Sequence, residues 1–526
     1  MINMKKTTLL VTIISIAFFT LYAWLATPVS VGVSTGYRFD WPDETANYFW
    51  IQHYAKTGQL VIEEPLNLAA DNQIHPRSFN VRPDGSLVPG SFLGLILFYG
   101  WISKLLGSWI ILYLTPLFGV LGVLAFYGII RRLFDDQVGL LTTILILIHP
   151  AWWYYSATTL LPNVTFLSLV TVGAYFLYRR EALNFWGALG SGLAFGLALA
   201  VRPAEIVWVG LVVLVSVGYG WKHNRSLVLL VVTIAAAVLA FLPTLYWQQL
   251  IYGDLLTTGY DQLNVAPASS CQACAVAQSL FTPFGLHPNL IGHNLYLHYF
   301  RRLWWYVLLM IFGLAVFLAN PGQQKNRRIG YLLFGLVISL LLAVYYGSWE
   351  FTDQLTVNLN TLGISYVRYF LPLYILPIPF IAAGLISTFR YFAARWAALF
   401  LLLILVGVGY LSAQLVLYQK ADSLMPVRQR VAEYRVTAAA VYEKTETESV
   451  IITVRKDKLF FPDRKVIHTF EALSLNSVLQ EITPQLAQQV PVYYYALGPE
   501  PQLTYDQFSL EVIAQFGSEV LYRVIL

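Results

Sequence analysis

Two neighbouring acids near the start of the chain are the residues best suited to chemistry. Asp43 and Glu44 open the segment WPDETANYFWIQHYAKTG. This segment indicates a helix of about four turns, because Pro42 suits the first position and Gly58 ends it. The helix dipole favours a charged carboxylate in the first turn and lowers its pKa, which suits a metal ligand or an orienting group better than a strong base. The structural alternative is that these acids only cap the helix.

Aromatic side chains follow the two acids along the same helix. Tyr48, Phe49, Trp50 and Tyr54 are of the type that anchors a helix in the headgroup layer of a membrane. In that setting the two carboxylates would lie at the depth of a lipid headgroup.

Two arginines elsewhere are candidates for binding a phosphate group. Arg202 (AVRPAEIVWVG) and Arg368 (ISYVRYFLPLY) stand at the ends of apolar stretches. A guanidinium group can hold a phosphate through two parallel hydrogen bonds. The alternative for each arginine is that it reaches out to the phosphates of the lipid bilayer.

The elements that must carry these residues are predominantly membrane helices. The chain has 526 residues, of which 57% are hydrophobic and only 12% charged, and its mean hydropathy is +0.61. A soluble domain carries about twice that share of charge. About 20 apolar residues cross the hydrocarbon core of a bilayer, and eleven such stretches are predicted. They are 7–27, 109–130, 138–156, 160–178, 185–201, 204–221, 226–247, 303–320, 329–347, 366–388 and 396–418.

Charge is concentrated at the C-terminal end of the chain. Between Lys420 and Leu526 lie 24 charged residues, 11 basic and 13 acidic. The prediction is therefore an α-helical polytopic membrane domain over 1–420, followed by a small soluble α/β domain over 421–526. Its helices are predicted at 425–444 and near 471–489, and its strands at 449–454, 465–470, 490–497, 509–517 and 519–526. The net charge of +5 is too small and too dispersed to indicate a nucleic-acid partner.

One further apolar stretch, 89–106, decides the sidedness of everything after it. If it stays at the outer surface, the cytoplasmic loops hold thirteen basic residues and three acidic ones; if it spans, only seven basic residues stay inside. The positive-inside rule favours the first arrangement. It predicts a multi-pass protein of the cell membrane with a cytoplasmic N-terminus, long external segments at 28–108 and 248–302, and an extracytoplasmic C-terminal domain.

The chain has two cysteines, Cys271 and Cys274, both in the predicted external segment 248–302. A local disulfide in an oxidising compartment is the first interpretation. Zinc bound by the pair and two nearby histidines is the alternative, although the spacing suits a zinc finger only loosely.

Taken in order, these features resemble the GT-C superfamily of polytopic glycosyltransferases. The resemblance is to the branch that includes protein O-mannosyltransferases and the lipid A aminoarabinose transferase. This branch is similar to glycosyltransferase family 39. The resemblance covers residues 7–420. The matching pieces are Asp43-Glu44 in PDETANYF, PGSFLGLILFYGWISKLLG, the Arg131-Arg132 end of the next span, Arg202-Pro203 and the RYFLP that begins at Arg368.

The resemblance implies an enzyme that takes a sugar, a hexosyl or pentosyl group, from a polyprenyl-phosphate carrier at the external face. The sugar passes to a protein, lipid or glycan acceptor, generally with inversion. Asp43 would be the catalytic carboxylate and Glu44 its support, while the donor phosphate would be bound by Arg202 and Arg368 with His75 or Arg77.

Some relatives use a divalent metal, for which Asp43 and Glu44 would be the ligands here. In LLPNVTF, Asn163 stands where relatives often carry a second acid, which weakens a metal-bridging arrangement. A nucleotide cofactor is not expected, because the sequence has no Gly-rich phosphate loop and no large cytoplasmic loop.

Two other classes of function remain as alternatives. A polytopic transporter or flippase for envelope lipid or polysaccharide should carry charges inside its spans and show inverted repeats, and neither is evident in the sequence. A non-catalytic assembly factor would keep the fold but lack the chemistry.

Overall fold

The computed structural model describes residues 4–33, 36–158, 160–178, 184–223, 226–261, 278, 280–320, 324–350, 360–469, 475, 478–500 and 504–526. The chain divides into two compact units. The first comprises Met1–Thr27, Leu112–Leu242 and Ala266–Pro426, and the second comprises Pro28–Ile111, Pro243–Val265 and Val427–Leu526.

Helices dominate the chain, and capping residues fix several of their ends. Asp135, for example, begins its helix by accepting hydrogen bonds from the amides of Gln137 and Val138, each 2.9 Å long. The α-helices are α1 (Met4–Ala26), α2 (Pro42–Thr57), α3 (Leu93–Leu106), α4 (Ile111–Leu133), α5 (Asp136–Leu147), α6 (Pro150–Ala157), α7 (Pro162–Tyr178), α8 (Phe185–Val201), α9 (Ile206–His223), α10 (Leu227–Tyr252), α11 (Pro288–Leu295), α12 (Trp304–Ala319), α13 (Lys325–Gly347), α14 (Ser365–Tyr369), α15 (Leu371–Ile375), α16 (Ile378–Phe389), α17 (Ala394–Leu417), α18 (Leu424–Tyr442), α19 (Asp457–Phe460) and α20 (Thr483–Ala487).

Within the described residues, six helices are long and apolar enough to cross a membrane, or nine if each bent pair counts as one span. The bends are 60° between α5 and α6, 115° after α8 and 90° before α12. Each predicted span falls on one or more of the helices. The multi-pass prediction is therefore confirmed, while the number eleven stays a prediction.

The stretch that decides sidedness forms α3, a helix of 14 residues. At 1.5 Å per residue it is about 21 Å long, which is short of the ~30 Å hydrocarbon core.

The second unit contains a five-stranded mixed sheet in the order β4-β3-β5-β7-β6. The inner strand β3 pairs in parallel with β4 and β5, while β7 pairs antiparallel with β5 and β6. This confirms the predicted small α/β region at the C-terminal end. The strands are β1 (Phe79–Val81), β2 (Leu87–Pro89), β3 (Val450–Val454), β4 (Lys465–Thr469), β5 (Val492–Ala496), β6 (Ser509–Phe516) and β7 (Glu519–Ile525).

The segment after α2 packs against this sheet. Ala70 and Ile74 are buried in the same hydrophobic core as Val450 and Ile467, and Ile74 also forms a β-bridge with Ile467. Residues 28–111 and 427–526 therefore share one core, whereas the sequence analysis placed them in different domains on either side of residue 420.

Candidate functional site

The helix that carries the acidic pair has the ends that the sequence predicts. α2 begins with Pro42 at its first position, and Asp43 and Glu44 lie in its first turn. Gly58 ends it in the left-handed conformation, with φ 72°, and donates its amide hydrogen to Tyr54 O at 2.9 Å.

The aromatic residues of α2 are not arranged as the sequence predicted. Trp50 is fully buried, and the ring of Phe49 lies 4.8 Å from the ring of Phe461 and 5.5 Å from that of Phe79. Trp50 is therefore a core residue, for which headgroup anchoring was the wrong interpretation, whereas Phe49 is half-buried against these two rings. The hydrophobic surface of Trp50 is buried against protein instead.

The two acids differ in their surroundings. Asp43 is half-buried, and its Oδ1 accepts a 2.7 Å hydrogen bond from Ser78 Oγ. Glu44 is buried. Burial raises the pKa of Glu44 well above its usual value, and the negative charge of Asp40 adds to this. The pair therefore offers one accessible carboxylate beside one carboxyl group that favours its neutral form.

A third acid, Asp40, lies just before α2 and was not singled out from the sequence. Arg430 donates to its two carboxylate oxygens at 3.0 and 2.6 Å, and Lys458 Nζ lies 3.3 Å from Oδ1. Burial alone would raise the pKa of Asp40, but the charges of Lys458 and Arg430 outweigh it and lower the pKa below its usual value. Asp40 is therefore a charged residue fixed by two cations.

Two of the predicted phosphate ligands, Arg77 and His75, already have partners in the second unit. Arg77 Nε and Nη2 lie 2.8 and 2.7 Å from Oδ1 of the buried Asp457. His75 packs edge-on against His468, with ring centroids 5.0 Å apart. Burial, together with His468, lowers the pKa of His75 to about 4, so its ring is uncharged at neutral pH.

The other two predicted ligands, Arg202 and Arg368, lie in the first unit and share a contact. Their guanidinium carbons are 4.8 and 5.2 Å from the centre of the Tyr369 ring. Arg202 is buried and bonded to Glu205 at 3.0 Å and to the Tyr346 hydroxyl at 2.9 Å. The structure therefore brings these two cations together.

The first unit also contains Arg302, which sequence reasoning missed. Arg302 is buried, and its Nη2 donates to Asn360 Oδ1. Its Nε and Nη1 are buried and have no hydrogen-bond partner in the part of the chain that the structure describes. Arg302 and Arg368 both lie close enough to Tyr155 to act on it electrostatically. The Arg-Arg pair in YFRRLWW could have indicated an anion site, but it entered only the count of basic residues on each side of the membrane.

The described residues offer little for a metal ion. Among them no three His, Cys, Asp or Glu side chains come together as a set of ligands. Asn163 donates from Nδ2 to Arg368 O at 3.2 Å, so an amide occupies the position of the second acid. We therefore derive no step through a metal. Cys271 and Cys274, with their predicted disulfide, lie outside the described residues.

Comparisons with known proteins agree with the resemblance seen in the sequence. Residues 95–247 match the family model described as dolichyl-phosphate-mannose-protein mannosyltransferase. No curated protein matches the chain.

Solved structures of ArnT share its fold. The crystal structure of ArnT from Cupriavidus metallidurans bound to undecaprenyl phosphate has a TM-score of 0.51 at 12% identity, covering 99% of this chain and 98% of that chain. The structure of the same ArnT in the apo state also has a TM-score of 0.51, at 13% identity, and covers 97% of each chain. AglB from Archaeoglobus fulgidus, an archaeal oligosaccharyltransferase, gives 0.45 at 12% identity over 92% of this chain and 69% of that chain. The ArnT fold thus extends over nearly the whole length of the protein.

Proposed function

We propose that this chain transfers a sugar from a polyprenyl-phosphate carrier to an acceptor hydroxyl, because it resembles GT-C glycosyltransferases in its family match and in its fold. The transferred group is a hexosyl or pentosyl unit, and the acceptor is a protein, lipid or glycan. The observation that carries the proposal is the unequal pair on α2, in which Asp43 is half-buried while the buried Glu44 favours its neutral form.

Asp43 is the general base of the proposed reaction. Its carboxylate accepts the proton of the acceptor hydroxyl as the hydroxyl oxygen attacks the anomeric carbon of the sugar. The bond between that carbon and the carrier phosphate oxygen breaks, and polyprenyl phosphate leaves with the electron pair. Attack on the face opposite the phosphate inverts the anomeric configuration.

Glu44 supports this role by its neutrality. Two charged carboxylates side by side would repel each other, and each would disfavour the charged form of its neighbour. Because burial favours the protonated form of Glu44, Glu44 places no negative charge beside Asp43.

Arginines of the first unit are the proposed ligands of the carrier phosphate, whose charge grows as the sugar leaves. Arg202 and Arg368 share the Tyr369 ring, and Arg302 has two buried nitrogen atoms, Nε and Nη1, whose N–H groups have no partner in the described residues. A phosphate oxygen would satisfy those groups. We propose no phosphate contact for His75, which is uncharged at neutral pH, or for Arg77, whose bonds to Asp457 have the positioning role argued below.

An apolar cavity in the first unit supports a lipid carrier. It has a volume of about 360 Å³ and is lined mostly by hydrophobic side chains, among them Phe126, Leu167, Val212 and Phe334. A polyprenyl chain is a hydrocarbon that such a surface binds without unsatisfied polar groups. The undecaprenyl phosphate in the ArnT structure belongs to this class of lipid.

The charge distribution of the sequence supports the orientation that we propose. The N-terminus is cytoplasmic. The acidic pair and the C-terminal segment 427–526 lie on the extracytoplasmic side of the cell membrane, where the reaction takes place.

The first test removes the base. Purified protein in lipid nanodiscs is given a panel of polyprenyl-phosphate hexoses and pentoses with an envelope extract as acceptor, and the release of polyprenyl phosphate is measured. Asp43→Asn keeps the shape of the side chain but cannot take a proton, so we expect at least a 100-fold loss of rate. Asp84→Asn is the matched control, because Asp84 is an exposed acid in the same segment; it should keep the wild-type rate.

Transfer by Asp43→Asn at the wild-type rate would overturn the proposal. A wild-type protein that binds the lipids but releases no sugar from any donor would instead indicate a non-catalytic assembly factor. The transporter or flippase alternative is not favoured, because both the family match and the fold belong to glycosyltransferases.

A further inference from the structure

We propose that Asp457 and Lys458, two adjacent residues of the C-terminal segment, are positioning residues for Asp43. Asp457 holds the segment that carries Ser78, the hydrogen-bond donor to Asp43. Lys458 holds Asp40, which leads into α2. The inference rests on the proposed function, in which Asp43 is the catalytic base.

Asp457 fixes its partner segment through both the side chain and the main chain. The carboxylate is 1% exposed and lies against Arg77, with Nη2 at 2.7 Å from Oδ1. Its Oδ2 accepts the main-chain amide hydrogen of Arg77 at 2.9 Å. Arg77 Nη2 also donates to Arg455 O at 2.6 Å. Because one bond goes to the main chain, Asp457 fixes the backbone at Arg77 as well as its side chain.

The next residue, Ser78, is held in an unusual conformation. Its φ is +65°, in the left-handed region that residues with a side chain seldom adopt. Ser78 O accepts the amide hydrogen of Gly90 at 3.1 Å. A Cβ on Gly90 would lie 2.8 Å from the carbonyl of Ser78, so only glycine allows this approach. The result is a hydroxyl group fixed 2.7 Å from Asp43 Oδ1.

Lys458 holds Asp40, the residue three positions before Asp43. Its Nζ donates to the main-chain oxygen of Asp40 and lies 3.3 Å from Oδ1 of the same residue. Arg430 binds both oxygens of that carboxylate. Because Asp40 lies two residues before Pro42, which begins α2, these bonds fix the chain where the catalytic helix starts.

The two arms begin at neighbouring positions of the short helix α19, and they end at the hydrogen-bond donor to Asp43 and at the residue three positions before it. One arm runs from Asp457 through Arg77 to Ser78, and the other runs from Lys458 to Asp40. The C-terminal segment 427–526 therefore determines how the carboxylate of Asp43 is presented. If the C-terminal segment served only to dock the acceptor, it would not need the hydrogen bonds to Arg77 and Asp40.

The test is a kinetic double-mutant cycle in the full-length protein in nanodiscs. We expect Asp457→Asn and Ser78→Ala each to lower kcat about tenfold while the KM for the lipid donor changes less than twofold. In the Ser78→Ala background, Asp457→Asn should cost less than a further twofold, because its effect passes through Ser78. Lys458→Met should also lower kcat, and Lys458→Arg should restore it by retaining the cation.

A matched control separates positioning from general stability. Glu64→Gln weakens the 2.9 Å ion pair between Glu64 and Lys465, which joins the same two segments without contacting Asp43. It should leave kcat unchanged. Additive losses for Asp457→Asn and Ser78→Ala, or an equal loss in Glu64→Gln, would overturn the inference.

The failure of this inference differs from failure of the proposed function. If Asp43→Asn is inactive while Asp457→Asn and Lys458→Met transfer sugar at the wild-type rate, only the positioning role is lost. If Asp43→Asn keeps the wild-type rate, the proposed function itself is overturned.

Discussion

The two acids of α2 are adjacent in sequence, yet their environments differ because successive residues of a helix point about 100° apart. Asp43 projects to a half-buried position beside Ser78, while Glu44 is buried near Asp40. The sequence predicted the pair and its place in the first turn. It could not tell which of the two is buried, since that depends on the packing of α2 in the second unit.

The pH dependence of stability tests the environment of Glu44. Its pKa is raised on folding, so its contribution to stability is fully present below the unfolded pKa of about 4.3 and is lost as the pH rises through the folded value. Glutamine resembles the neutral carboxyl group and carries no such penalty. We expect Glu44→Gln to gain stability relative to the wild type between pH 5 and pH 8, by about 1.4 kcal/mol for each pKa unit of the shift.

Thermal unfolding midpoints of the two proteins at pH 5 and pH 8 measure this difference. Asp84→Gln is the control, because Asp84 is exposed and should show no comparable gain. A Glu44→Gln variant that is destabilised equally at both pH values would contradict a neutral buried Glu44.

Among the elements, α12 and α16 form a close crossing of membrane helices in the first unit. A Cβ added to Gly384 would lie 2.6 Å from Gly313 Cα, and one added to Gly313 would lie 2.5 Å from Phe380 O. Small residues let two helix backbones approach in this way, and the resulting van der Waals contact stabilises the pair in lipid. The glycines are visible in the sequence, but their facing positions on two separated helices are not.

A larger side chain at this crossing should force the helices apart. Gly384→Leu is expected to lower the free energy of unfolding by about 1–3 kcal/mol or more, as over-packing does in other cores. Denaturation of the detergent-solubilised protein measures the loss. The matched control is Gly407→Leu in α17, where an added Cβ meets no atom within 4 Å. Equal stability of Gly384→Leu and Gly407→Leu would show that the crossing is not tightly packed.

Over the whole molecule, the sequence predicted the features that local pattern encodes. Pro42 and Gly58 set the ends of α2, and alternating apolar residues located the strands of the C-terminal sheet to within a few positions. It did not predict that Arg77 binds Asp457, 380 residues further along the chain, since local sequence carries no information about so distant a partner. The burial of Arg302 was also missed, because the charge of a residue does not reveal whether it is exposed.

Sidedness is the prediction that concerns the chain as a whole, and α3 is the element on which it depends. A helix about 21 Å long would leave part of a ~30 Å hydrocarbon core uncrossed, so α3 should stay at the outer surface. The N-terminus and the loop after α4 are then cytoplasmic, and the C-terminal segment 427–526 is external. An alkaline phosphatase reporter, which needs disulfides formed outside the cytoplasm, should be inactive when fused after Asp136 and active when fused after Leu526. The two fusions control each other, because a spanning α3 would reverse both results. It would also place the segment after α2 and the C-terminal sheet on opposite sides of the membrane, although Ala70 and Ile74 of that segment lie in the core of the sheet.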